Sequence, residues 1–206
     1  MKIFDIEGFP NPTRVRIALA EKGATDKVEF VSVDVMNGEH RTDAFKAINP
    51  DASVPCAQLD DGTYISQVTA ITEYIDGTFE GPSLFGKTPK DRAVIHMMNR
   101  RAENGLVDAV GAYFHFATDG LGPELETYQN SDWGLRQREA ATQTMAYLDR
   151  VLSTSDFLAG DQFSMADITA FAGLAFADFA KVDIPENLHN LIKWRAQMAQ
   201  RPSIAV

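Results

Sequence analysis

The sequence predicts an α+β protein of two domains, a βαβαββα unit followed by an all-helical one. Three observations carry that prediction. Over residues 1–78 short apolar strands alternate with helical patterns, and Asp61-Gly62 marks a tight hairpin between two of the strands. Residues 79–90 are a linker by composition, with Gly81, Pro82, Gly86 and Pro89. From residue 91 to 206 every strong apolar signal has helical spacing.

Ile3 to Ile6 reads as the first strand. Asn11-Pro12 has the signature of a helix start, with Asn as the cap and Pro at the first helical position. Val15, Ala18 and Leu19 supply its apolar face, and Gly23 ends it in a left-handed conformation. Val28 to Val35 is a β-branched strand, and the helix between the two strands makes them parallel. A short helix is expected over Arg41 to Ile48. Pro55 begins the next strand, Cys56 to Leu59, because proline cannot donate to a ladder. Tyr64-Ile65-Ser66 returns beside it, and Gln67 to Ile75 is helical. This order is that of a thioredoxin-like domain.

Beyond the linker, Asp91 to Thr118 reads as one long helix with a bend at Gly105 or Gly111, since each glycine costs a helix about 1 kcal/mol. Leu135 to Leu152 is a second. Ser164-Met165-Ala166-Asp167 opens a third with a Ser cap and an acid three residues on; Asp in place of Glu or Gln leaves the reach-back contact open. A last helix spans about Pro185 to Ala199.

Composition narrows the function. Nineteen basic residues against 29 acidic give a net charge of −10, which argues against nucleic acid or an anionic membrane as partner. No apolar run reaches membrane-spanning length, and the N-terminus has no hydrophobic signal core. Cys56 is the only cysteine, so no internal disulfide forms, and a cytoplasmic location is expected. Beside apolar neighbours on a strand it reads as an inert thiol. No spacing of His, Cys or acidic residues suggests a metal.

Asn49-Pro50, Val54-Pro55, Asp61-Gly62 and Gln67-x-x-Ala70-Ile71-x-x-Tyr74 closely resemble the glutathione-binding half of cytosolic glutathione S-transferases. Gly160-x-x-x-Ser164-x-Ala166-Asp167 and Arg201-Pro202-Ser203 extend the resemblance over almost the whole chain. Gly38-Glu39-His40, His96-Met97-Met98-Asn99, Tyr113-Phe114-His115 and Trp133-Gly134-Leu135-Arg136 are similar to an atypical, yeast-type or theta-like subgroup. The resemblance implies a cis Val54-Pro55 bond whose Val54 backbone pairs with the cysteinyl part of glutathione. It places His40 and Arg41 at the glycine carboxylate, with solvated loop charges as the other reading. Gln67 falls at the γ-glutamyl end. There the family's Glu/Gln-Ser pair is Gln67-Val68, so the hydroxyl is missing and only the Val68 backbone N–H remains to bind.

The catalytic position is the larger departure. Most members carry a Tyr, Ser or Cys at the start of the first helix; here Phe9 stands there and donates nothing. Support for a thiolate is then left to the Thr13 and Arg14 backbone N–H groups, to the Asn11 side chain, or to His115 acting through water as the subgroup implies. Asn11 also reads as a plain helix cap, and His115 as a core or surface histidine bonded to backbone. The expected function is conjugation of glutathione, a co-substrate rather than a resident cofactor, to an apolar electrophile lying between domains against Phe9, Tyr113 and Phe116. A cytoplasmic homodimer active in detoxification follows from the resemblance. The alternatives are a non-enzymatic binding or scaffold protein of the same fold, or a glutathione-dependent isomerase, dehalogenase or peroxidase.

Overall fold

In the computed structural model, which describes residues 1–204, strand β1 (Lys2–Asp5) is the centre of the first unit, Met1–Pro82. It pairs in parallel with β2 (Glu29–Ser32) and antiparallel with β3 (Cys56–Gln58). Strand β4 (Tyr64–Ser66) pairs antiparallel with β3, giving the order β2-β1-β3-β4. Ile3, Cys56 and Ala57 are fully buried, and since Cys56 and Ala57 point to opposite faces, the middle of the sheet is apolar on both. The thioredoxin-like arrangement is that expected.

Strand β2 is shorter than its β-branched run. Val33 still donates to Asp5 O at 2.8 Å, but Val35 then donates to Val33 O at 2.8 Å and the chain turns away. Val33 and Val35 are nevertheless buried, so the run is apolar because it lines the core rather than because it is all strand. The single helix expected over Arg41 to Ile48 is instead a 3-10 turn (Glu39–Arg41) and a one-turn helix α2 (Asp43–Lys46). Thr42 separates them; its hydroxyl accepts from Phe45 N–H at 3.2 Å and so caps α2.

Helix α1 (Pro10–Glu21) crosses between the parallel strands, and α3 (Val68–Thr78) follows β4. Gly23, at φ +58°, ends α1 as expected, with Ala24 N–H donating to Leu19 O at 2.9 Å. Beside it the buried Lys22 ammonium donates to Asp76 Oδ1 at 3.0 Å, Asp76 O at 3.2 Å and Pro82 O at 3.1 Å. A lone buried ammonium would be costly; here three acceptors satisfy it and tie the ends of α1 and α3 together.

The second unit begins at Ser83 and holds α4 (Pro89–Ala102), α5 (Ala109–Ala117), α6 (Ser131–Leu152), α7 (Met165–Phe179) and α8 (His189–Met198). A π-helical segment, Glu103–Asp108, joins α4 to α5 without a gap, so the long helix read from the sequence is continuous, with its irregular turn at Gly105. Packing explains the place. A Cβ on Gly105 would overlap the Thr144 hydroxyl on α6, and one on Gly173 of α7 would lie 2.8 Å from Leu106 Cγ. Two neighbouring helices press on this turn, and only glycines let them. Helix α6 starts earlier than expected because Asn130 caps it, accepting from Trp133 N–H at 3.1 Å. Helix α8 starts later, because a turn with Leu188 N–H donating to Pro185 O at 3.0 Å precedes it. No helix of the described residues is long and apolar enough to cross a membrane.

Helix α7 is the core of this unit. Asp167, 0% exposed, accepts from Ser164 N–H and Ser164 Oγ–H, each at 3.0 Å, and from Leu158 N–H at 2.9 Å. The reach-back contact left open by the sequence is therefore made, and the same carboxylate also fixes the preceding loop. Burial outweighs these bonds and pushes the Asp167 carboxyl up from its ordinary 3.8 to about 6. Replacing Asp167 by Ala should leave the Leu158 and Ser164 amides unpaired in the interior and cost about 2–4 kcal/mol in urea unfolding. The pH dependence has a definite sign. The folded state binds this proton more tightly than the unfolded chain, so the contribution is fully present below pH 3.8 and is lost as pH rises through about 6. Wild type should therefore gain stability on the order of 1–3 kcal/mol relative to Asp167→Asn between pH 7 and pH 4, checked by urea titrations of both proteins across that range.

Candidate functional site

The first turn of α1 differs from the sequence reading in a way that matters chemically. Its cap is Phe9, with φ −81° and ψ 145°, and Pro10 is the first helical residue. Asn11 is therefore inside the helix and is not the cap. Pro10 already has the fixed φ and missing N–H that suit a first position, so the helix starts two residues before the Asn-Pro signature implied. Thr13 N–H donates to Phe9 O at 2.9 Å, and its hydroxyl donates to the same oxygen at 2.8 Å. The helical ladder engages Arg14 N–H in the same way, so the two amides expected as free donors are both occupied. With prolines at 10 and 12, the first turn keeps only the Phe9 and Asn11 amides outside the ladder. The Asn11 carboxamide oxygen accepts from Arg14 Nη1 at 3.0 Å, and Arg14 is 1% exposed. The Asn11 side chain thus serves a buried guanidinium.

The second element lies where β3 and β4 meet α3. The Val54-Pro55 bond is cis. Neither the N–H nor the C=O of Val54 has a hydrogen-bond partner among the described residues. The pair of Cys56 with Ser66 is the last rung of the β3–β4 ladder, and two residues beyond it on either side stand Val54 and Val68, the first residue of α3. An unpaired main-chain segment and a helix N-terminus therefore lie at the same end of this hairpin. The Val68 side chain is buried, but its amide belongs to the unpaired first turn of α3. Gln67, the cap residue, has φ +72° and ψ 121°, a region that favours glycine. It is exposed, and its side chain donates to Asp51 Oδ2 at 3.0 Å.

His40 and Arg41 occupy the 3-10 turn. Arg41 is exposed, as a cation that meets a carboxylate should be. His40 is 8% exposed, and its Nδ1 has no partner. Burial, and then the neighbouring Arg41 charge, lowers its pKa, so it is a neutral group. It can offer a hydrogen bond to an anion, but not the charge expected of it. Cys56 is fully buried, and burial pushes its thiol up to about 11, which makes it inert.

In the second unit, Tyr113, His115 and Phe116 lie on α5 and all are half-buried. Tyr113 and Phe116 share a helix face by their spacing of three. Phe116 meets Tyr128 edge-on at 6.1 Å, and Arg138 lies over the Tyr113 ring at 5.5 Å. The His115 side chain is bonded not to backbone but to a carboxylate, with Nδ1 2.7 Å from Glu126 Oε1. Glu126 was missed in the sequence: a Gly- and Pro-containing turn separates it from His115, and no periodicity links the two. Among the described residues, no three His, Cys, Asp or Glu side chains are grouped to hold a metal.

The chain is similar to known proteins over almost its whole length. The model of the glutathione S-transferase N-terminal domain matches residues 10–78, and that of the C-terminal domain matches residues 116–202. The chain is 53% identical to glutathione S-transferase 2 of Saccharomyces cerevisiae over 99% of its own length and 88% of the relative's. The chain belongs to the glutathione S-transferase family. Among solved structures, a glutathione S-transferase domain-containing protein of Marinobacter aquaeolei VT8 is similar with TM-score 0.98 and 69% identity, covering 99% of this chain and 100% of that one. Gtt2 from Saccharomyces cerevisiae is similar with TM-score 0.97 and 53% identity, covering 100% and 99%.

For this family member, the Gln67 backbone gives a test of strain at the site. A non-glycine residue held at positive φ costs about 1–3 kcal/mol, and glycine relieves it at an entropic cost of about 0.5–1 kcal/mol. Gln67→Gly is expected to raise stability by about 1 kcal/mol in urea unfolding, the reverse of an ordinary glycine substitution.

Proposed function

We propose that this protein is a glutathione transferase that conjugates the glutathione thiolate to a small apolar electrophile. One observation carries the reading: the unpaired Val54 backbone lies at the same end of the β3–β4 hairpin as the N-terminus of α3. An extended main chain can add to the first as a strand, and a carboxylate suits the second. Glutathione has both features in the matching order, a γ-glutamyl carboxylate next to a cysteinyl main chain. Gln67 and Val68 take the γ-glutamyl end and Val54 the cysteinyl backbone, beside Pro55. Arg41 supplies charge for the glycine carboxylate, and His40 a neutral hydrogen bond. Phe9, Tyr113 and Phe116 are the aromatic side chains assigned to the electrophile. Glutathione is a co-substrate here. A homodimer, a cytoplasmic location and a role in detoxification belong to the same proposal. The 53% relative's name supports a transferase over a binding-only protein or an isomerase, dehalogenase or peroxidase.

The thiolate needs a source. Moving a thiol from pKa about 8.5 down by two units takes about 2.7 kcal/mol of preference for the ionised form. A helix N-terminus supplies about 0.3–1 kcal/mol when exposed and up to about 2 when partly buried. The α1 terminus has only two amides to offer, so a second contributor is required, and His115 acting through water fills that role. Calorimetric titration with glutathione, the absorbance of the bound thiolate against pH, and conjugation rates test the assignment together. His115→Ala should raise the bound-thiol pKa and slow conjugation with little loss of glutathione affinity. Asn11→Ala should act mainly on stability, by about 1–2 kcal/mol, because Arg14 loses an acceptor. If wild type binds glutathione with an unshifted thiol and conjugates nothing, the protein is a binder.

A further inference from the structure

We infer that Glu126 is a positioning residue that holds His115 in a single tautomer, with the proton on Nδ1 and the lone pair on Nε2. The inference rests on the role given to His115 above. It starts from the oxygen between them. Glu126 Oε1 lies 2.7 Å from His115 Nδ1 and also accepts from Leu121 N–H at 2.9 Å. A main-chain amide can only donate, so this oxygen is an acceptor, and the ring nitrogen that shares it must carry the hydrogen. The outward nitrogen is then an acceptor, able to hold a water or take a proton.

The surroundings fix the carboxylate before the histidine meets it. The Glu126 side chain is 10% exposed, against 42% for His115, so the acid is the rooted partner. Gly120, at φ +53°, closes over it: a Cβ there would lie 2.6 Å from the Glu126 carboxyl carbon. Gln129 Nε2 returns to donate to the His115 carbonyl at 3.0 Å and to Thr118 O at 2.5 Å, which ties the loop to the end of α5. The Phe114 ring meets the imidazole edge-on at 5.1 Å. Other charged groups on the loop and the start of α6 are Asp119, Glu124, Asp132, Arg136 and Arg138; among the described contacts only Glu126 bonds to the imidazole. A free imidazole favours no such arrangement. The loop from Thr118 to Asn130 therefore does for His115 what a buried carboxylate does for a histidine base, selecting which nitrogen faces out.

The test is the nitrogen spectrum of the four histidines in uniformly labelled full-length protein, at alkaline pH where imidazoles are neutral, with His115→Ala to assign the signal. The expected result is a His115 with a protonated Nδ1 and an unprotonated Nε2. Glu126→Gln keeps an acceptor oxygen and should keep that pattern. Glu126→Ala should shift it toward the Nε2-protonated form and slow conjugation severalfold, with the KM for glutathione unchanged. A wild-type His115 protonated on Nε2, or a tautomer indifferent to Glu126→Ala, overturns the inference. Should Glu126→Ala fail to fold, the wild-type spectrum alone decides. Should His115→Ala conjugate at the wild-type rate, the role given to His115 fails, while the spectra still judge Glu126 independently.

Discussion

Pro10 and Pro12 stand in the first turn of α1, and neither has an amide hydrogen. A helix normally presents four unpaired N–H groups at its start, and this one has two. The residue at the cap is Phe9, so no side chain makes up the difference. A thiolate held near this turn would meet a weaker positive end than an ordinary helix provides. The proline pair thus leaves α1 with half the usual number of free donors at its start. It also explains why Asn11 is inside the helix, where its oxygen is turned to the buried Arg14 rather than outward. Arg14 in turn cannot be unpaired cheaply, because a guanidinium remains charged at any accessible pH.

The second unit holds two enclosed carboxylates of different kind. Asp167 is fully enclosed, and its bonds tie a loop and a helix start together, so its work is structural. Glu126 is enclosed on one side only and presents its oxygen to a half-exposed imidazole. Between them, the glycines at 105 and 173 let α6 and α7 press against the π-helical turn that leads into α5. An extra residue in a helical turn rotates everything after it by about 100°, so this turn sets which α5 side chains face the core. Phe114 faces the core, and His115 does not.

Much of this was legible in the sequence, for reasons that differ by element. The Asp61-Gly62 hairpin, the Val54-Pro55 pair and the Ser164 to Asp167 helix start are local features, each with chemistry confined to a few residues. The parallel pairing of β1 with β2 followed because a crossover helix connects them. Errors came where two local signals compete. Asn11-Pro12 imitates a helix start, but Pro10 satisfies the same rule earlier. The apolar residues of Val28 to Val35 suggest a strand throughout, yet the chain leaves the ladder after Val33, and Val33 and Val35 are apolar because they line the core. His40 sat where charge was expected, and burial removed the charge, which no spacing reveals. The partnership of His115 with Glu126 depends on how a loop folds back, so it was out of reach of periodicity.

The enclosed Cys56 has one more implication. A protein that handles a small thiol is exposed to thiol–disulfide exchange, and any accessible cysteine of its own would be drawn into mixed disulfides. This chain has one cysteine, sealed in the middle strand of its sheet with its thiol held in the protonated, unreactive form. It is spared that side reaction for as long as the sheet is closed. Its rate of capture by an alkylating reagent would then report the opening of the sheet itself, which gives the molecule a built-in clock for its own unfolding.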